Sequence, residues 1–252
     1  MEGIAYGGDW NPEQWDRETN LRDIERMVEA GVTLISLGIF SWASLEPEEG
    51  RYDLDWLADL IDQLHNAGIS VDLANGTASP PAWMAQRYPE TLPVDSRGVR
   101  LGFGSRQQYN PSSALFSQKA CALTEAMARR FGDHPGVVMW HISNEYGCHT
   151  WESFDEESAQ AFRQWLLERY GTIEAINHAW GTAFWSQTYT DIAQIQPPRA
   201  MPTFHNPSQM LDWRRFSDYA LRSQMERERE VIRRYSDRPI TSRSRSIWER
   251  RA

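Results

Sequence analysis

Short, nearly continuous apolar runs alternate along this chain with longer amphipathic stretches. That alternation is the strongest constraint on its fold. Ile4-Ala5-Tyr6-Gly7-Gly8 reads as a first strand. Residues 19–30 follow as a helix, with Leu21, Ile24, Met27 and Val28 at helical spacing and Gly31 as the stop. Val32-Thr33-Leu34-Ile35-Ser36-Leu37-Gly38 is a second strand, 54–67 a second helix, and Ile69-Ser70-Val71-Asp72-Leu73-Ala74 a third strand. A helix over 113–131 leads into Val137-Val138-Met139-Trp140-His141-Ile142. Helices are then expected over 156–170, 173–180 and, after a Pro-rich loop at 197–207, over 208–235; Pro239-Ile240-Thr241-Ser242 opens a fifth strand. Repeated βα units with apolar strands imply an α/β fold with a parallel sheet buried on both faces.

At 252 residues the chain has the length of one barrel-sized domain. A net charge of −9 speaks against nucleic acid as a partner, since phosphate binding needs clustered cations. No apolar run is long enough to span a bilayer, and Met1-Glu2-Gly3-Ile4 lacks the basic and apolar regions of a signal peptide. Two cysteines, Cys121 and Cys148, make no disulfide framework, so a cytoplasmic protein is expected. Twelve tryptophans, nine tyrosines and nine phenylalanines read first as core residues. Flat aromatic faces also suit the apolar face of a sugar ring, and composition leaves both uses open.

In parallel α/β folds the loops after the strands build the active site. Here those loops are Asp9-Trp10-Asn11-Pro12-Glu13, Phe40-Ser41-Trp42, Asn75-Gly76-Thr77 and Ser143-Asn144-Glu145-Tyr146, rich in Trp, Asn and acids. Glu145 directly follows the fourth strand. Desolvation at a barrel mouth would keep a proton on such a group, while the competing reading is a salt-bridged structural Glu. Asn144 offers both a donor and an acceptor to a sugar hydroxyl. Arg106, in the loop after the third strand, either holds a carboxylate ionised, binds a hydroxyl, or is an exposed loop cation. Cys148-His149 has no second metal-ligand pair nearby, so no metal is expected. No nucleophile elbow, phosphate loop or dinucleotide fingerprint is present, and no cofactor is expected.

Taken together, Tyr6-Gly7-Gly8-Asp9-Trp10-Asn11-Pro12-Glu13-Gln14-Trp15, Phe40-Ser41-Trp42-Ala43, Leu45-Glu46-Pro47 and Pro80-Pro81-Ala82-Trp83 resemble the glycoside hydrolase family 42 β-galactosidases. So do Tyr109-Asn110-Pro111, Trp140-His141-Ile142-Ser143-Asn144-Glu145-Tyr146-Gly147 and Trp180-Gly181-Thr182-Ala183-Phe184-Trp185. The resemblance implies a (β/α)8 TIM-barrel catalytic domain that hydrolyses terminal β-D-galactose with retention of configuration. Glu145 is then the proton donor, Asn144 and Arg106 contact the sugar, and Trp185 lines the galactose pocket. A homotrimer acting on small-molecule β-galactosides is implied as well.

Three departures qualify the resemblance. Some members carry a four-cysteine zinc site beginning at the position of Asn110, which is not cysteine here. The strand after the long helix runs Ser242-Arg243-Ser244-Arg245 instead of Thr-Asn-Phe-Met. The family nucleophile, a Glu ending the seventh strand, lies beyond residue 252. The expectation is therefore a partial barrel over 1–242, about the first five βα units, with a divergent, disordered tail over 243–252, and with impaired activity. The alternatives are a non-catalytic galactoside-binding module and a retaining barrel glycosidase of another sugar specificity.

Overall fold

The structure is a computed structural model that describes residues 4–242; the expected tail at 243–252 lies outside the described residues. Five strands form one parallel sheet in chain order: β1 (Gly7–Trp10), β2 (Leu34–Leu37), β3 (Ser70–Ala74), β4 (Val137–His141) and β5 (Ile240–Thr241). Each new strand is added beside the last, with helical connections throughout, which is the winding of the first part of a (β/α)8 barrel. The helices are α1 (Arg17–Glu29), α2 (Trp42–Leu45), α3 (Asp55–Asn66), α4 (Ala82–Arg87), α5 (Ala114–Phe131), α6 (Glu156–Tyr170), α7 (Ile173–Trp180) and α8 (Pro207–Arg233).

Local chemistry fixes the boundaries. The Asp16 carboxylate caps α1 by accepting the Thr19 amide, the Ser113 hydroxyl caps α5, and Asn206 caps α8 ahead of Pro207 at its first position. Gly181 closes α7 in the left-handed conformation at φ 62°. The last helix therefore runs from Pro207 to Arg233, shifted from the expected 208–235.

The first strand departs most from its expectation. Ile4 and Tyr6 are exposed, and the ladder begins at Gly7 opposite Leu34. A side chain at Gly7 would place its Cβ 1.6 Å from the Leu34 carbonyl oxygen, so only glycine permits this approach. Pairing register overrides the apolar run, and the strand extends through Asp9 and Trp10 instead of ending before them. The segments expected as loops also hold helix: α2 follows β2, and α4 follows β3.

One row of side chains, Trp10, Leu37, Leu73, Trp140 and Ile240, crosses the sheet in register. It belongs to a core that joins the sheet to α3, α5 and the C-terminal part of α8. A second apolar cluster, Phe154, Phe162, Leu166, Ile176, Trp180, Ile195, Trp213 and Phe216, joins α6, α7 and the N-terminal half of α8. Trp42, Trp140 and Trp213 are among the largest fully buried side chains, so much of the aromatic content serves packing. No helix among the described residues is long and apolar enough to cross a membrane.

Candidate active site

Glu145 lies four residues beyond the end of β4, on a turn that runs into the left-handed region at Ser143 (φ 52°) and again at Glu145 itself (φ 50°). Neither residue gains from that conformation locally, so the surrounding contacts must hold it. The Ser143 amide donates to Asn75 Oδ1 at 2.8 Å, which ties the turn to the end of β3. Gln107 Nε2 donates to the carbonyl oxygens of both Asn144 and Glu145, the latter at 2.7 Å. Gln107 is fully buried and itself has φ 55°.

The side chain of Glu145 is 20% exposed and meets Arg106, whose terminal nitrogen donates to Glu145 Oε2 at 2.9 Å. Arg106 Nε donates to His149 Nε2 at 3.0 Å, and the His149 amide donates to Gln107 Oε1 at 3.0 Å. Glu145, Arg106, His149 and Gln107 thus close a ring that clamps the loop after β3 onto the loop after β4. The guanidinium carbon of Arg106 also stands 5.5 Å from the Phe40 ring centroid, beyond β2. Of the two expectations for Glu145, desolvation and a salt bridge, the structure places a cation in direct contact with it.

Asn144 is buried, and its Oδ1 has no hydrogen-bond partner among the described residues. Trp185 lies in the segment between α7 and α8. It is 59% exposed on a short turn with φ 54°, and its ring stacks on Phe184 with centroids 4.6 Å apart. A cleft of about 410 Å³ lined by Glu13, Trp15, Asn20, Asp53, Trp56 and Gln63 lies between α1 and α3 and includes none of these four.

Sequence reasoning missed Gln107 and the polar residues within the strands, and weighed His149 only as a metal ligand. Ser36 Oγ donates to Asp72 Oδ2 at 3.0 Å, and His141 Nδ1 lies 3.4 Å from the same oxygen, all three on neighbouring strands. A polar residue interrupting an apolar strand was the available signal, as in Ile35-Ser36-Leu37 and Val71-Asp72-Leu73. Beneath the loops, Glu228 of α8 is fully buried and bonded to Asn75, Thr77, Gln224 and Tyr146. Asn110, where a cysteine stands in zinc-bearing members, donates to Asp155 Oδ2 at 2.9 Å and accepts from Ser158 Oγ at 3.1 Å.

Residues 9–249 match the family described as β-galactosidase, glycoside hydrolase family 42. The chain belongs to this family. It is 53% identical over 221 residues to a β-galactosidase of Arthrobacter sp., covering 88% of this chain and 32% of that protein. A β-galactosidase of Geobacillus kaustophilus is 45% identical over 243 residues, covering 96% and 36% respectively. The crystal structure of the Bacillus circulans sp. alkalophilus β-galactosidase superposes with a TM-score of 0.92 at 39% identity, over 97% of this chain and 37% of the other. The chain spans about a third of the length of these relatives, and its five strands are part of their (β/α)8 barrel.

Proposed function

We propose that this chain carries the acid/base half of a β-galactosidase site that cleaves terminal non-reducing β-D-galactose with retention, and that Glu145 is the acid. The observation that carries this reading is Glu145 at the mouth end of β4 with Arg106 2.9 Å from Oε2. In a retaining mechanism two carboxyl groups stand roughly 5–5.5 Å apart. Glu145 gives its proton to the glycosidic oxygen as the bond to C1 breaks, while the partner carboxylate forms a bond to C1. The ionised Glu145 then takes a proton from water, whose oxygen attacks C1 and releases the partner. The buried, unpartnered Oδ1 of Asn144 supplies an acceptor for a sugar hydroxyl.

The resemblance assigns the partner carboxyl to a seventh strand, and the described sheet has five. By itself the chain is therefore expected to bind galactose and to turn over galactosides several orders of magnitude more slowly than an intact pair would, because the covalent step is lost. The test is hydrolysis of a chromogenic β-galactoside by the purified chain and by its Glu145→Gln variant. Negligible turnover with measurable galactose binding supports the half-site. Robust turnover that Glu145→Gln abolishes overturns it. Assembly as a homotrimer belongs to the same reading, and light scattering tests it by mass.

A further inference from the structure

Glu228 sits on α8, 83 positions after Glu145 in the sequence, yet it lies directly under the two loops that carry the site. It is 1% exposed. Four donors from three segments reach it. Asn75 Nδ2 and Thr77 Oγ1 (2.7 Å) bond Oε2; Gln224 Nε2 (2.8 Å) and the Tyr146 hydroxyl (3.3 Å) bond Oε1. Two carboxylate oxygens offer about four lone-pair sites, so an ionised carboxylate uses its full accepting capacity here. Burial raises the Glu228 carboxyl above its ordinary value, and these same donors act against that rise.

Two of the four donors lead straight to the acid/base turn. Tyr146 is the residue after Glu145. Asn75, held by Glu228 through its amide nitrogen, presents its Oδ1 to the Ser143 amide at 2.8 Å. The Thr77 hydroxyl lies between Asn75 Oδ1 at 3.0 Å and Glu228 Oε2 at 2.7 Å, and its one proton favours the closer carboxylate, leaving Asn75 Oδ1 to Ser143. A strained turn with φ 52° at Ser143 and 50° at Glu145 is thereby fixed at both ends by one side chain from α8.

We propose that Glu228 is a positioning residue for Glu145, acting through Asn75 and Tyr146 to hold the Ser143–Tyr146 turn in its left-handed shape. That the turn carries the acid rests on the function proposed above; the clamp itself does not. The competing reading is a core plug that merely fastens α8 to the sheet.

Amide hydrogen exchange separates the two, because local opening and global unfolding expose different sets of amides. The readout is the exchange rate of Ser143 relative to Val71, an amide of the central sheet bonded to Gly136. In Glu228→Gln one acceptor becomes a donor facing donors, so the Asn75 amide nitrogen loses its carboxylate and keeps only Thr124 Oγ1, at 3.0 Å. The Ser143-to-Val71 ratio is expected to rise about tenfold or more. Asp212→Asn, which disturbs a buried carboxylate in the second apolar cluster, is expected to speed both amides together and leave the ratio unchanged.

A ratio unmoved in Glu228→Gln, or raised equally by Asp212→Asn, overturns the proposal. Should Glu228→Gln fail to fold, Tyr146→Phe removes the turn's own bond to Oε1 at nearly constant shape. The ratio must then rise in that variant, and an unchanged ratio overturns the proposal equally. No substrate enters the measurement, so a failure of the galactosidase reading is seen separately, in the hydrolysis assay.

Discussion

Arg106 does two jobs with two different nitrogens, and that division decides what can replace it. Its terminal nitrogen holds Glu145 Oε2 at 2.9 Å while Nε holds His149 Nε2 at 3.0 Å. A lysine carries its donors on a single atom and cannot span both partners. Arg106→Lys keeps the charge and breaks the ring, so galactose affinity is expected to fall about tenfold or more, as read by calorimetry. An affinity equal to that of the unmodified chain would show that the fork geometry is irrelevant. Glu145 could be singled out in the sequence because it follows an apolar strand, whereas Arg106 stood out only through the family resemblance. The closing members of the ring, Gln107 and His149, could not, because their roles depend on contacts across 37 to 43 positions that local pattern does not encode.

Between elements, charge does some of the fastening. Glu49, in the loop after α2, accepts from Arg87 of α4 at 2.8 Å and from the Tyr88 hydroxyl at 2.9 Å, and pairs with Lys119 of α5. Lys119, then Arg87, hold the Glu49 carboxyl down to about 2. A depressed carboxyl contributes stability above its unfolded value and loses it as pH falls through the folded one. The contribution should therefore be present above about pH 4.5 and fade towards pH 2. Glu49→Gln is expected to flatten the fall in melting temperature over that window, measured by circular dichroism; an unchanged slope would remove Glu49 from the acid response. On the scale of elements the sequence was most legible where periodicity was long. Helices α6 and α7 lie where their spacing put them, whereas β1 moved by three residues because pairing with Leu34, not apolarity, sets its start. The short helices α2 and α4 escaped notice, having four and six residues and no full amphipathic repeat.

Across the whole molecule, α8 is the element that makes one unit of two cores. Trp213 and Phe216 belong to the α6–α7 cluster, while Leu221 and Ile232 further along the same helix belong to the core under the sheet. Phe162→Ala, in the outer cluster, is expected to cost about 3–5 kcal/mol and to lower a single melting transition shared by far-ultraviolet and tryptophan signals. Two separated transitions would show that the cores melt independently. The same helix has a consequence in time. A chain emerging N-terminus first forms β3 and β4 well before α8 exists, and Glu228 then reaches back 153 positions to Asn75 and 82 to Tyr146. Closing so long a span is entropically costly and slow beside local structure formation. The Ser143–Tyr146 turn is thus among the last features the growing chain completes: a polypeptide halted before α8 would have its central strands and the Gln107 contacts to that turn, but no Glu228 beneath it.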